Sequence, residues 1–538
     1  MGYLNSILKT IGFNSNMNIN NYFNYFGNKY NVNSIVLLFG FYFYLQKSNS
    51  GNYLKSKIYN FVKNISIVKS LIDSKVKKTI NEVKKNFLLP NHDAITKIPI
   101  KGLKIDNIYK LQEDYKNLRN FDIDKGPISG TVYYGFNKEY SMFLMNSYHN
   151  FIFSNPLHPD VFPDIRVMES EVVNMVLDLF NGDKNCCGNV TSGGTESILL
   201  ACKTYRDWGL DQKGITKPEI IVAESAHAAF FKAGHYFQIK IKVIPVDTNS
   251  GKIMISKLYD AINENTVAIV GSAPSYAHGV MDNINEMSKI AYDNDIGLHV
   301  DCCLGGFILP FLKRKGLLTE SYDFRLKGVT SISADTHKYG YTLKGSSLIM
   351  YNNSNLRKYQ YYIKSDWNGG IYATPIISGS RSGALIAVTW SSLLYHGLDG
   401  YSKIALEIVK LKNKIVNRCR EIEDLIVIGD PISSVVAFNS YHFDIFIVAT
   451  QMTEKNWNLN VLQYPNSFHI CLTHIHVKNN IEDKFMNDLI ECVNYAKTQP
   501  NSKKKGVSAI YGMAKQINDP TIVNDVATGY LDSLTELN

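Results

Sequence analysis

From residue 185 to residue 400, short β-rich runs take turns with helical patterns, and that alternation leaves very few architectures open. The runs are Glu219–Ala223, Lys242–Pro245, Thr266–Val270, Gly297–Val300, Thr330–Ser333 and Ser346–Met350. Strands separated by helical stretches pair through crossovers, which predicts a doubly wound, mostly parallel sheet in an α/β domain. From about residue 401 the pattern changes. A helical run at Ile404–Arg420 leads to β-rich runs at Leu425–Ile428, Val435–Phe438, Phe443–Ala449 and Phe468–Leu472, and a helical pattern over Ile481–Ala496 follows. This reads as a smaller C-terminal α+β domain. No repeat of solenoid period is present.

Charge divides the chain unevenly. The first 89 residues hold twelve Lys, no Arg and two acids, Asp73 and Glu82, a balance of +10. Of the total of +9, the other 449 residues therefore carry about −1. The basic balance is thus no sign of a nucleic-acid surface on the main body. Between Lys29 and Lys47 lie 17 uncharged residues centred on Ile35–Leu45, at the short limit for a membrane-spanning helix. Residues 30–46 are read as a transmembrane anchor behind an Asn-rich tail, 1–29. The lysines follow the segment, so the positive-inside rule puts the C-terminal body in the cytosol. In 47–90, apolar residues from Leu54 to Phe87 recur every three or four positions with lysines between them. This basic amphipathic linker helix either lies on an anionic membrane or packs its apolar face on protein. The eight cysteines form no C-x-x-C pair and no zinc spacing, so no metal is expected and the thiols read as reduced. The catalytic body begins at residue 91, with 91–184 as its N-terminal segment, 185–400 as the large domain and 401–538 as the small one.

Polar residues just after the strands carry the chemistry, because open α/β sheets bind ligands at the carboxyl ends of their strands. Thr191-Ser192-Gly193-Gly194-Thr195-Glu196 precedes an apolar helix, and small residues at a helix start let backbone N–H groups approach a phosphate. Asp301 ends an apolar strand, where a carboxylate can keep a pyridine nitrogen protonated. Lys338, in Asp335-Thr336-His337-Lys338-Tyr339, sits in apolar, aromatic surroundings, where desolvation lowers an amine's pKa and favours imine formation. His227 follows another strand and can stack on a flat ring. Each motif alone has a plainer reading: a turn, a helix cap, a buried lysine, a core histidine. Together, in the chain order cradle, His227, Asp301, Lys338, they describe a site for pyridoxal 5'-phosphate (PLP).

Several segments carry a resemblance: Ser154–Pro163, Val190–Leu199, Glu224–Phe230, His299–Phe307, Ser333–Tyr341, Gly369–Ala373 and Ala509–Ala514. Over roughly residues 100–535 the chain resembles the sphingosine-1-phosphate lyase family, within the PLP fold-type I (aspartate-aminotransferase-like) enzymes related to the amino-acid decarboxylases. The resemblance implies retro-aldol cleavage of a phosphorylated long-chain base to a long-chain aldehyde and phosphoethanolamine. The alternative is a PLP-dependent amino-acid decarboxylase. By position, Lys338 would hold the cofactor as a Schiff base, Asp301 would face the pyridine nitrogen and His227 would stack on the ring. Gly194 and Thr195 would hold the cofactor phosphate, with His337 beside it. Tyr133, Asn155, His158 and Lys344 would gather around the substrate, with Tyr134 as an alternative to Tyr133. The resemblance further implies a homodimer and a single-pass protein of the endoplasmic reticulum membrane. Two residues depart from the pattern: Cys302 stands where a small alanine is expected under the ring, and Ser382 where proline is expected.

Overall fold

A computed structural model describes residues 66–85, 94–135, 137–498 and 520–536. They fall into two compact units, one from the stretches up to Asn120 and from Lys504 onward, the other within Phe121–Lys503. The anchor segment 30–46 and the segment Ala509–Ala514 lie outside the described residues. Among the described residues no helix is long and apolar enough to cross a membrane.

The first unit contains the helices Ser66–Lys85, Ile105–Lys116 and Pro520–Ser533. Ser66–Lys85 lies within the basic amphipathic stretch. Its Ile80 packs against Gly529 of the last helix, and Lys84 pairs with Glu536 at 2.6 Å. Protein therefore covers part of its apolar face.

The second unit is built on seven strands: β1 (Cys187–Thr191), β2 (Glu219–Ala223), β3 (Lys240–Ile244), β4 (Thr266–Ser272), β5 (Gly297–Asp301), β6 (Ser331–Ala334) and β7 (Ser347–Tyr351). Their order is β1-β7-β6-β5-β4-β2-β3. Every pair is parallel except the two that β7 makes, with β1 and with β6. The mostly parallel sheet expected from the alternating pattern is present, and six of its strands coincide with the predicted runs to within two or three residues. β1 is the seventh. Strands β2, β4, β5, β6 and β7 are buried along their whole length, as a sheet with both faces covered requires. β3 at the edge instead carries Lys240 and Lys242, charges that keep an open strand from pairing with another chain. The helix Gly194–Lys213 lies across the sheet. Its Ile198, Leu200 and Tyr205 form one core with Ile220, Val222, Val267 and Ala268.

A second sheet has the order β10-β11-β13-β12, with β10 (Ile426–Val427), β11 (Val435–Asn439), β12 (Asn460–Leu462) and β13 (Ser467–Cys471). The expected strand at Phe443–Ala449 is a correction. Residues Ile445–Glu454 are a helix, started by the Asp444 side chain, which accepts from the Phe446 N–H. A helix spanning Gly383–Arg420, broken in direction at Gly397, packs on the helices Lys138–Asn150 and Pro163–Leu179. A hairpin of β8 (Tyr362–Trp367) and β9 (Gly370–Thr374) stands apart from both sheets.

Topology collects the polar motifs. Parallel strands end on one edge, so the residues after β1, β2, β4, β5 and β6 emerge there together. Because β7 runs the other way, its first residues, preceded by Lys344, meet the same edge.

Candidate active site

Between β1 and the helix Gly194–Lys213 the chain turns through Ser192 and Gly193. Glu196, in the first turn of the helix, reaches back: its Oε2 accepts from Ser192 N and Oγ, both at 2.7 Å. Thr191 Oγ1 lies 2.7 Å from Ser197 Oγ, which lies 2.9 Å from Ser347 Oγ in β7. The loop is held from below. The first N–H groups of a helix have no acceptor within it, so the start at Gly194 and Thr195 suits an anion. Backbone approach here is close. A Cβ at Gly194 would sit 2.8 Å from both Asp335 Oδ1 and Cys303 Sγ. His337 flanks the cradle, its Cε1 3.4 Å from where a Cβ of Gly193 would be.

Lys338 and Asp335 form the charged centre. Lys338 Nζ lies 2.9 Å from Asp335 Oδ2, and His337 Nε2 lies 3.5 Å from the same oxygen. Asp335 is buried, and its other oxygen, Oδ1, is without a hydrogen-bond partner among the described residues. Burial alone would push that carboxyl up, but Lys338 and His337 outweigh it and hold it below the usual carboxylate range. The amine departs from expectation. Desolvation does work against its charge, yet Asp335, followed by Cys303 and Tyr133, raises its pKa above the ordinary lysine value. A buried carboxylate 2.9 Å away outweighs the loss of water. His337 accepts from Ser346 N through Nδ1, which leaves the proton of its neutral form on Nε2, toward Asp335. Its pKa is lowered, first by burial, with Asp335 opposing and Lys344 and Lys338 adding to the drop.

Asp301 lies at the end of β5. Its Oδ1 accepts from Cys303 N at 3.0 Å and from Ser333 Oγ at 3.5 Å. Cys303 Sγ in turn donates to Ser333 Oγ at 3.2 Å. The Cys303 thiol is pushed far up, first by burial and then by Asp301 and Asp335, with Lys338 opposing. Cys303 therefore stands amid Asp301, Asp335, Lys338 and Gly194. This corrects the expectation for Cys302, whose charged neighbours are Asp301 and Asp323 and which neither Lys338 nor Asp335 perturbs. β5 ends at Asp301, and the turn that follows, in which the Asp301 carboxylate takes the Cys303 N–H, brings Cys303 rather than Cys302 to the charged centre.

Tyr133, not Tyr134, belongs to this pocket. Its ring makes an edge contact with Tyr339 at 4.9 Å, and Lys344 Nζ lies 4.5 Å from its centroid. Burial first, then Cys471, raises the phenol's pKa, with Lys338 opposing. Tyr134 instead packs among Tyr140, Tyr341, His396 and His474. Lys344 Nζ also donates to the His337 carbonyl at 3.3 Å and has no carboxylate partner among the described residues. Its pKa is lowered, by burial first and then by Lys338. His227 lies after β2 and takes the Ala229 N–H on Nδ1 at 3.2 Å; Tyr276, which follows β4, faces it edge-on at 6.3 Å. Asn155 and His158 lie on a separate loop. Asn155 Oδ1 accepts from Leu157 N and Arg381 N, its Nδ2 donates to Ser380 Oγ, and His158 is exposed. Among the described residues no recorded contact joins either to Lys338.

Contacts thus join Gly194, Asp301, His337, Lys338, Tyr133 and Lys344 in one cluster, with Thr195 next along the helix and His227 linked to it through Tyr276, which acts on Tyr133. PLP fits it on three grounds. A phosphate can sit at a helix start where a side chain would collide, an amine stands beside a buried carboxylate with a free oxygen, and a second carboxylate ends the neighbouring strand. Asp335, Cys303, Tyr276 and Cys471 are absent from the sequence reading. Asp335 stands in the lysine's own motif, three residues before it, but neither its burial nor its distance to the amine is legible there. Among the described residues no cluster of side chains suits a metal ion.

A profile of the pyridoxal-dependent decarboxylase conserved domain matches residues 133–441. Sphingosine-1-phosphate lyase 1 of Rattus norvegicus is 42% identical over 483 residues, 89% of this chain and 84% of that protein. The sphingosine-1-phosphate lyase of Saccharomyces cerevisiae is 38% identical over 86% of this chain and 79% of its own. Among solved structures, the sphingosine-1-phosphate lyase of Burkholderia pseudomallei superposes with a TM-score of 0.77 at 35% identity, covering 84% of this chain and all of that one. A glutamate decarboxylase of Lactobacillus brevis, at 18% identity and TM-score 0.65, shares the fold; the match covers 77% of this chain and 97% of that one.

Proposed function

The chain belongs to the sphingosine-1-phosphate lyase family of PLP-dependent enzymes, and on that premise we propose that it cleaves phosphorylated sphingoid bases, sphingosine 1-phosphate among them, to a long-chain aldehyde and phosphoethanolamine. The observation that carries this reading is a cation beside the Lys338–Asp335 pair that has no ion-pair partner among the described residues. Of the two carboxylates, Asp335 pairs with Lys338 and Asp301 takes the Cys303 N–H and the Ser333 hydroxyl, while Lys344 donates only to the His337 carbonyl. Lys344 is left as a cation for an anionic group of the substrate.

PLP, when bound, supplies an electron sink for the bond next to the substrate amine. The chain supplies the rest. Gly194 and Thr195 would hold the cofactor phosphate, with His337 beside it. Lys338 would be the amine that holds the cofactor. Asp301 would pair with its pyridine nitrogen, and His227 would lie against its ring. Asp335 lies within hydrogen-bond reach of Lys338 and keeps a proton available at Nζ. Tyr133, its pKa raised first by burial, presents its phenol ring beside Lys344.

The protein acts as a homodimer in this reading. Support comes from the exposed apolar surface of the hairpin, with Ile363, Trp367 and Ile371, and from Phe153 beside the Asn155–His158 loop. That loop, unattached to Lys338 in its own chain, is suited to a second chain's pocket. The uncharged segment 30–46 supports a single-pass anchor in the endoplasmic reticulum membrane with the body in the cytosol. In cell fractions, the full chain is expected with those membranes, and a chain beginning at residue 47 in the soluble fraction as a dimer. Soluble full-length protein, or a monomer at micromolar concentration, would count against these two points.

The activity is tested by incubating the PLP-loaded enzyme with a phosphorylated sphingoid base, beside Lys338→Ala. Aldehyde release by the parent, and its loss by about 10³-fold or more in the variant, is the expected result. Carbon dioxide release from an amino acid with no aldehyde from the base would replace the reading with a decarboxylase.

A further inference from the structure

Arg381 and Glu169 form a pair outside the Lys338 pocket. Both Nη atoms of Arg381 donate to the two carboxylate oxygens of Glu169 at 2.6 Å, and both side chains are largely buried. The pair also clasps the backbone of Val190 in β1: Glu169 Oε1 accepts from Val190 N at 3.3 Å, and Arg381 Nη1 donates to Val190 O at 3.4 Å. One residue later β1 enters the Thr191–Gly194 cradle. On its other side, Arg381 N donates to Asn155 Oδ1 at 3.3 Å, Asn155 Nδ2 donates to Ser380 Oγ at 3.2 Å, and Gly383 N donates to Ser154 O at 2.9 Å. At the start of this segment, Ile377 N donates to Glu196 Oε1 at 3.1 Å; the other oxygen of Glu196 secures Ser192. Residues 377–383 therefore bridge two places, the cofactor-phosphate cradle and the Asn155–His158 loop.

We infer that Glu169 and Arg381 are a positioning pair that fixes the Asn155–His158 loop in register with β1, and so sets where the substrate phosphate is received. The inference rests on the reading of that loop as a substrate-binding element. Arg381 is not itself a phosphate ligand here, because its fork is taken up by Glu169 and by the Val190 carbonyl. A bidentate Arg–carboxylate pair fixes orientation in a way a lysine cannot reproduce.

The test uses the PLP-loaded enzyme and phosphoethanolamine as the probe, with binding measured by calorimetry and cofactor retention by visible absorbance. In Glu169→Gln the Kd for phosphoethanolamine and the KM for the phosphorylated base rise about ten-fold or more, while kcat and PLP affinity stay within about three-fold. Arg381→Lys keeps the charge but loses the fork, and gives a smaller rise, about three-fold. It also serves where Glu169→Gln does not fold. Unchanged phosphoethanolamine binding overturns the inference. Tighter binding in Glu169→Gln overturns it too, since a released Arg381 would then be a direct ligand. Cofactor loss in parallel with the rise overturns it as well, because the pair would only be holding the cradle. If Asn155→Ala and His158→Ala both leave phosphoethanolamine binding unchanged, the substrate-loop reading fails instead.

Discussion

Adjacent glycines in the cradle have opposite tolerances. At Gly193 the backbone is extended and a Cβ would meet only His337 Cε1, at 3.4 Å. At Gly194 it would press on Asp335 Oδ1 and Cys303 Sγ at 2.8 Å, two buried groups with little room to yield. Overpacking of this kind costs about 1–3 kcal/mol, so Gly194→Ala should weaken PLP binding about 10-fold or more, with Gly193→Ala close to the parent. Titrating each apoprotein with PLP at the visible band measures this, and equal affinities would refute it. The same contacts mark what a single residue's place in the sequence can reveal. Lys338 and Gly194 are legible because their chemistry depends on local context, an aromatic run and a helix start. Asp335 is not, since what makes it matter is a distance to an amine one turn away and burial that no pattern prints. The raised pKa of Lys338 is hidden for the same reason: desolvation can be guessed from neighbours in sequence, a partner carboxylate cannot. Cys303, rather than Cys302, is not legible either, because β5 ends at Asp301 and a turn, not the strand period, decides between them.

Among the elements, strands with wholly buried, β-branched runs are legible almost to the residue, whereas β1 is not. Cys187-Gly188-Asn189-Val190-Thr191 has one β-branched apolar residue, and it is a strand because β7 pairs with it along all five positions. The helix at Ile445–Glu454 reads as a strand because a short apolar run cannot be assigned by period alone. Asp444, the residue that starts it, is the available clue. The helix Gly383–Arg420 is recognisable only from Ile404, and its break has a local cause. Gly397 adopts φ 55° and ψ −176°, a region open almost solely to glycine. That turn carries His396 into the cluster with Tyr134, Tyr140 and Tyr401. No side chain within 4 Å would obstruct a Cβ at Gly397, so the penalty for Gly397→Ala comes from the backbone alone. It should destabilise the protein by about 1–3 kcal/mol. Gly400→Ala, three residues on and within the helix, is the control and should be neutral or slightly stabilising. Thermal unfolding of both variants decides the matter, and equal midpoints would remove the strain argument.

For the molecule as a whole, the alternating pattern is enough to place Asp301, Lys338 and His227 on one sheet edge, because parallel strands end together. It does not reveal that β7 runs the other way, which is what carries Lys344 to that edge. Nor does it show how many histidines the fold seals off. Burial lowers His299, His396, His469 and His476 to about 4, against an ordinary value near 6.5. The sign follows from proton uptake. Between these values the unfolded chain binds protons that the folded chain refuses, so stability falls as the pH drops from about 6.5 to about 4. Each histidine contributes about 1.4 kcal/mol per pH unit in the middle of that window. Asp282 works in the opposite sense, pushed up to about 6 by burial against the N–H groups of Ser272 and Ile253, and offsets one histidine near pH 5. The net slope there is about 4 kcal/mol per pH unit, steep for any fold of ordinary stability. The unfolding midpoint should therefore fall sharply between pH 6.5 and 5, well above the range where Asp335 takes up its proton. His469 donates to the Ala277 carbonyl through Nδ1, and its Nε2 has no partner among the described residues. In His469→Gln one titrating group is gone, and the slope should lessen by about 1.4 kcal/mol per pH unit whatever the change in absolute stability. Urea unfolding at half-unit steps from pH 7.5 to 5 reads both slopes, and a parent whose midpoint stays flat across that interval would show that these imidazoles take up protons without unfolding.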